Sequence, residues 1–244
     1  MDPTWIDIQW GFFNEHLDVP FRMYAYLDGI DPEEYRDKYW HIGTESIGAH
    51  SVKLNLLANV IAEQGGADDL LIFVDGDAFP IASLRGFLET ALREYPLVAV
   101  QRLENDGDPQ PHPSFCATTI RFWKEIRGDW GKGPQWRTNS GATRSDVGGL
   151  LWARLRELGI AWKPMLRSNK RDLHPLWFGV YDNMVYHHGA AFRTPYCTLD
   201  ISKARNSLWR RILIDLAESR QVSSIYGGWF RNAVYSFVMK KSIL

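Results

Sequence analysis

Two carboxylates one residue apart, Asp75 and Asp77, follow the apolar run Leu70-Leu71-Ile72-Phe73-Val74. The run is short, rich in β-branched and aromatic side chains, and entered from the acidic turn Asp68-Asp69, which is how a strand buried on both faces reads. The acids are therefore expected at its carboxyl end. In open α/β sheets ligands bind at that edge, and Gly76 between the acids lets the backbone turn and a ligand approach closely. Carboxylates at this spacing can share a hard divalent cation, which can in turn hold a diphosphate. Asp-Gly-Asp is also ordinary turn chemistry. Helical patterns on both sides of the strand place the acids at a strand-to-helix crossover and not in a hairpin. A second chemical feature is the pair His187-His188, in the strand-like stretch from Met184 to His188. Strand alternation points the two rings to opposite faces, so only one of them can face any one site.

The stretch Leu70 to Pro80 resembles the Asp-any-Asp motif of nucleotide-sugar glycosyltransferases with the GT-A fold. Val185-Tyr186-His187-His188-Gly189-Ala190-Ala191-Phe192-Arg193 resembles the late histidine segment of those enzymes. The resemblance implies that Asp77 and a later histidine bind Mn²⁺ or Mg²⁺ on the donor diphosphate, with Asp75 beside the metal or the ribose. His187 is the favoured histidine, because Arg193 then falls where related enzymes often place a phosphate-binding Lys. It also implies a base or ribose contact for Asp28, which competes with a plain Asp-Gly turn. For Asp146, just before a late helix, it implies the base that deprotonates the acceptor hydroxyl in an inverting enzyme; a helix cap is the competing role. The implied reaction is metal-dependent transfer of a sugar from a nucleotide-sugar donor, a UDP-sugar first of all, to a hydroxyl of a glycan or lipid-linked acceptor.

The fold that follows from the resemblance is a GT-A-like α/β domain over residues 1–200, a mostly parallel sheet flanked by helices, with a helical carboxyl-terminal appendage over 201–244. One departure stands out. GT-A domains usually open with a strand that helps hold the nucleotide base, whereas this chain opens with a helix, so that strand is missing or supplied elsewhere. Two other classes compete. A haloacid dehalogenase-type phosphatase also ends a strand in Asp-any-Asp, but follows it with Thr or Ser where this chain has Ala78-Phe79. A degenerate GT-A scaffold without activity would tolerate the departure at the start.

Composition narrows the setting. With 244 residues, 45% of them hydrophobic, the chain can bury one sizeable α/β core with a small appendage. A net charge of −1 gives no electrostatic argument for nucleic acid. Cys116 and Cys197 are too few for a disulfide framework and lack zinc-type spacing, which suits a reducing, cytoplasmic setting. No apolar run approaches the ~20 residues of a membrane span. The 11 Trp residues can stack on sugars, but they serve equally as core.

The elements that must position these groups follow in order. Asp2-Pro3 opens a helix with Ile6, Trp10, Phe13 and Leu17 at helical spacing, and Phe21 to Leu27 reads as a strand closed by Asp28-Gly29. His50 to Gln64 is helical, stopped by Gly65-Gly66, with His50, Lys53 and Asn55 at the end that favours an anion. Lys53 is thereby a candidate for the donor phosphates. Beyond the acids, Ile81 to Glu94 and Arg121 to Trp130 read as helices, with strands at Pro96 to Val100 and Ser114 to Ile120. The loop Glu104 to Pro113 between those strands reads as a surface connection, with the lining of an acceptor site as the alternative. Leu150 to Leu158 is a helix stopped by Gly159, and Ile160 to Met165 a short strand. The tail offers Trp229, Phe230, Val234, Phe237 and Val238 on one helix face beside Arg231, Lys240 and Lys241. Packing on the core, a homodimer contact and peripheral binding to a membrane surface all fit it.

Overall fold

The computed structural model describes residues 4–105, 107–139, 141–168 and 179–187. His188, Arg193 and the appendage over 201–244 lie outside the described residues. Helix α1, Thr4–His16, is followed by strands β1, Tyr24–Tyr26, and β2, His41–Gly43, which pair in parallel. Helix α2, His50–Gln64, leads into β3, Leu70–Val74, both with the bounds expected from periodicity. The chain then makes β4, Ala78–Pro80, helix α3, Leu84–Glu94, β5, Leu97–Val100, and β6, His112–Thr119. Helix α4, Ile120–Glu125, the small hairpin of β7, Trp136–Arg137, and β8, Thr143–Arg144, and helix α5, Gly149–Glu157, come next. Strands β9, Lys163–Met165, β10, Gly179–Tyr181, and β11, Val185–His187, complete the described elements.

The central sheet has the order β3-β6-β5-β9. Its pairing corrects the expected parallel sheet: β6 runs antiparallel to both β3 and β5, and β5 with β9 is the one parallel pair. Three strands thus point one way and β6 runs against them. Local periodicity carries no information on strand direction, which is why the reversal was not foreseen. Strand β3 also differs from expectation in its burial. Leu71 and Phe73 are buried, but Leu70 is 46% exposed and Ile72 and Val74 are half-buried, because β3 is an edge strand.

Two apolar clusters flank the sheet. On one side α2, α4 and α5 bury Leu54, Ala58, Trp123 and Leu151 against Leu71, Phe73, Leu97 and Cys116. On the other, α1 and α3 pack Ile8, Phe13, Leu84 and Leu88 with Val98, Val100, Phe115 and Phe79. Phe79 of β4 is fully buried and stacks between Phe12 of α1 at 4.5 Å and Tyr186 of β11 at 5.0 Å between ring centroids. That three-ring stack fixes α1, β4 and β11 relative to one another. Strand β4 also corrects the expected crossover: between the acids and α3 the chain leaves the main sheet and joins a separate one of order β10-β11-β4. Among the described residues no helix is long and apolar enough to cross a membrane.

Candidate metal centre

Asp75 and Asp77 occupy the turn between β3 and β4. Ala78 N donates to Asp75 O at 2.9 Å, closing the turn. Gly76 is not among the glycines with positive φ, so no left-handed conformation requires glycine there. The turn is braced from α1. Gln9, 5% exposed, sends both hydrogens of its amide into it, to Asp75 O and Ala78 O, each at 2.8 Å. Such bonds satisfy two carbonyls that would otherwise be poorly solvated and hold the acids in one orientation.

Antiparallel pairing of β11 with β4 sets His187 opposite Ala78. His187 Nε2 consequently lies 3.4 Å from Asp75 Oδ2 and 3.6 Å from Asp77 Oδ1. One ligand atom from each of these three residues falls within 4.8 Å of the others, a spacing suited to one shared cation. Asp77 is 3% and His187 7% exposed, so these two are nearly closed to bulk water, while Asp75 is partly accessible. Two carboxylate oxygens and an imidazole nitrogen suit a hard or borderline divalent ion. The geometry fits the metal role expected of Asp75, Asp77 and His187.

Two further histidines surround the acids. His50, first residue of α2, places Nε2 at 3.3 Å from Asp75 Oδ1. His112 stands at the start of β6, and because β6 is reversed its beginning lies beside the carboxyl end of β3. Asp75 N donates to Ser114 O, and the ring of His112 is centred 5.8 Å from that of His187. His112 accepts the Ser114 amide at Nδ1, 3.1 Å, so its proton resides on Nε2 in the neutral ring. Burial, reinforced by the Arg102 charge, depresses its pKa well below the ordinary value. Burial alone would raise the Asp75 carboxyl, but the hydrogen bond from His50 and the His50 charge outweigh it and hold it below the usual range. His50 is the reciprocal case: burial pulls it down, yet Asp75 wins and its pKa is raised.

The remaining expected residues fall around this centre in different ways. Lys53 forms an ion pair with Asp28 and sits close enough to His50 to oppose its protonation. These two side chains thus meet each other, on the same face of α2 that carries His50. Asn55 does not join them: it donates to Asp129 Oδ1 and accepts from Trp130 N, tying α2 to the chain after α4. Asp146 is not the cap of α5. That position belongs to Gly148, whose φ of 98° is open to glycine and whose added Cβ would collide with the Pro111 carbonyl. The Asp146 carboxylate instead accepts from Val147 N at 2.8 Å and from Arg102 Nη2 at 3.2 Å. Arg102 also holds Asp108, 1% exposed, at 3.2 Å. The loop read as a surface connection is therefore buried at Asp108 and Gln110, with Asp108 accepting both the Gln110 amide and its side chain.

Sequence reasoning missed His112, Arg102 and Gln9 as neighbours of the site, and gave His50 to an anion and not to Asp75. Of these only His50 carried a local signal, its place at a helix start. No protein-family model, curated protein or solved structure matches this chain.

Proposed function

We propose that the chain is a metal-dependent glycosyltransferase that moves a sugar from a nucleotide-sugar donor, a UDP-sugar in the first instance, to a hydroxyl of a glycan or lipid-linked acceptor. The observation that supports this reading most is the convergence of Asp75, Asp77 and His187 from two distant stretches of sequence onto one cation-sized volume. Mn²⁺ or Mg²⁺ held there would neutralise charge on a diphosphate leaving group. Lys53, a turn along α2 from His50, would take a donor phosphate in exchange for Asp28, which is then released toward the ribose or base. Arg193 supplies a second phosphate contact in this scheme. Asp146 would accept the acceptor hydroxyl proton, its carboxylate oriented by Arg102 and the Val147 amide.

A thermal-shift panel tests the reading. UDP, GDP, ADP and CDP are each added with and without Mn²⁺, and the proposal expects one nucleotide to raise the melting temperature only when Mn²⁺ is present. Stabilisation by Mn²⁺ alone together with hydrolysis of a generic phosphate ester would favour a phosphatase. Indifference to every combination would leave a scaffold.

A further inference from the structure

Of the three histidines around the acids, His50 and His187 each reach a carboxylate oxygen, and His112 does not. His112 lies between two prolines, Pro111 and Pro113. Each proline fixes its own φ, and Pro113 also confines His112 to extended backbone, so the direction of the His112 Cα–Cβ bond is set locally. Pro113 has no N–H to offer. The first amide beyond it, that of Ser114, donates to His112 Nδ1 at 3.1 Å. Strand β6 is irregular at this point: Ala99 of β5 opposes Cys116, but Val100 opposes His112, with residues 113–115 between them. Bulges of this kind re-aim side chains beside functional sites. Here the ring of His112 comes to 5.8 Å from that of His187 between centroids, tilted by 37°.

An imidazole that accepts at Nδ1 is neutral and carries its hydrogen on Nε2. Neither nitrogen can then ligate a cation, Nδ1 because its lone pair is engaged and Nε2 because it is protonated. What remains is a single N–H at the free end of a fixed ring. Among the described residues no group accepts that hydrogen. His112 is 9% exposed, and a donor left unpaired at that depth costs about 1–3 kcal/mol. Arg102, the charge that bears on His112 most, has its Nε buried without a hydrogen-bond partner, its Nη2 being committed to Asp108 and Asp146. A cation held by three protein atoms keeps positions open, and an anionic oxygen in one of them can meet both the ion and a neighbouring N–H. We infer that His112 donates its Nε2 hydrogen to a phosphoryl oxygen of an anion bound to the cation at Asp75, Asp77 and His187. The inference rests on the proposed metal centre and names the residue that holds the donor diphosphate beside the ion; it requires neither the nucleoside nor the sugar. Being neutral, the ring does not repel the cation, as a lysine at the same place would.

The test compares the full-length parent with His112→Asn and His112→Gln. Asparagine can still accept the Ser114 amide, as in an Asx turn, but its side chain ends short of the Nε2 position. Glutamine carries an amide N–H out to about that position. Calorimetry with Mn²⁺ alone should give one affinity for all three proteins within about twofold, since His112 is not a ligand. Inorganic pyrophosphate titrated into the Mn²⁺-saturated chains should bind about tenfold or more weakly to His112→Asn, with His112→Gln close to the parent. Long-range ¹H–¹⁵N correlation on the metal-free parent should find the ring hydrogen on Nε2. A hydrogen on Nδ1 would overturn the inference, as would a loss of Mn²⁺ affinity in His112→Asn on the scale of His187→Ala, which would make His112 a ligand. Equal pyrophosphate binding by parent and His112→Asn would leave the N–H to water, and a His112→Gln as weak as His112→Asn would tie the loss to the ring and not to its N–H. A parent that binds no Mn²⁺, or no pyrophosphate when loaded, would overturn it too. If pyrophosphate binds as expected and no nucleotide does, the transferase reading fails and this inference stands.

Discussion

His112 stays neutral in the folded chain because burial and the Arg102 charge both oppose its protonation. Its depressed pKa has a defined consequence for the metal-free protein. Below the ordinary imidazole pKa of about 6.5 the unfolded chain takes up a proton that the folded chain refuses, so stability falls with pH, by up to about 1.4 kcal/mol per unit for this group. His50 and Asp75 contribute with other signs. The raised pKa of His50 gives stability that is present at low pH and lost as pH rises through the folded value. The lowered pKa of Asp75 gives stability that is present above the ordinary carboxylate range and lost as pH falls toward the folded value. Urea unfolding of the parent and His112→Gln between pH 5 and 7.5 isolates the first contribution. The variant should show the shallower slope, and superimposable slopes would mean that His112 titrates normally. The ligand assignment gives a second residue-scale expectation: His187→Ala should lower Mn²⁺ affinity by at least about tenfold, and His188→Ala far less, because it is His187 Nε2 that lies 3.4 Å from Asp75 and 3.6 Å from Asp77. A reversed ranking would move the ligand to His188.

At the scale of elements, the candidate metal site is braced by α1 although no residue of α1 enters it. Gln9 is the link, bonding two carbonyls of the turn that carries the acids. Gln9→Leu keeps the volume but strands both carbonyls, and should destabilise the chain by about 1–3 kcal/mol while weakening metal binding by roughly tenfold. Denaturant unfolding and metal titration on the same variant check both; unchanged metal affinity in a destabilised protein would make Gln9 a packing residue only. The same elements show what could be read from sequence. Helix α2 and strand β3 were legible to the residue, because their patterns are continuous and bounded by Gly65-Gly66 and by the acids. The pairing of Asp75 and Asp77 with His187 was legible only through the resemblance of the two stretches to glycosyltransferase motifs, since nothing local links residues over a hundred positions apart. His112 was not, since it reaches the site only because β6 runs backwards, and direction is a tertiary property. Arg102 and Gln9 act through contacts with residues far along the chain, and neither leaves a local trace. Asp146 shows the reach of a local rule from the other side: of the two roles open to it, the helix cap is taken by the left-handed Gly148.

For the whole molecule, the two apolar clusters and the Phe12–Phe79–Tyr186 stack make a rigid frame on which the turn after β3, the start of β6 and the end of β11 converge. Two largely buried carboxylates side by side are costly to maintain without positive charge beyond that of the half-exposed His50, and that cost is the physical case for a bound cation. Titration calorimetry of Mn²⁺ into the intact chain and into Asp77→Asn tests this most directly. The account predicts one Mn²⁺ per parent chain, and affinity reduced at least about tenfold in a variant that melts no lower than the parent when both are metal-free. Equal Mn²⁺ binding by the two proteins, or no binding by the parent, would contradict it.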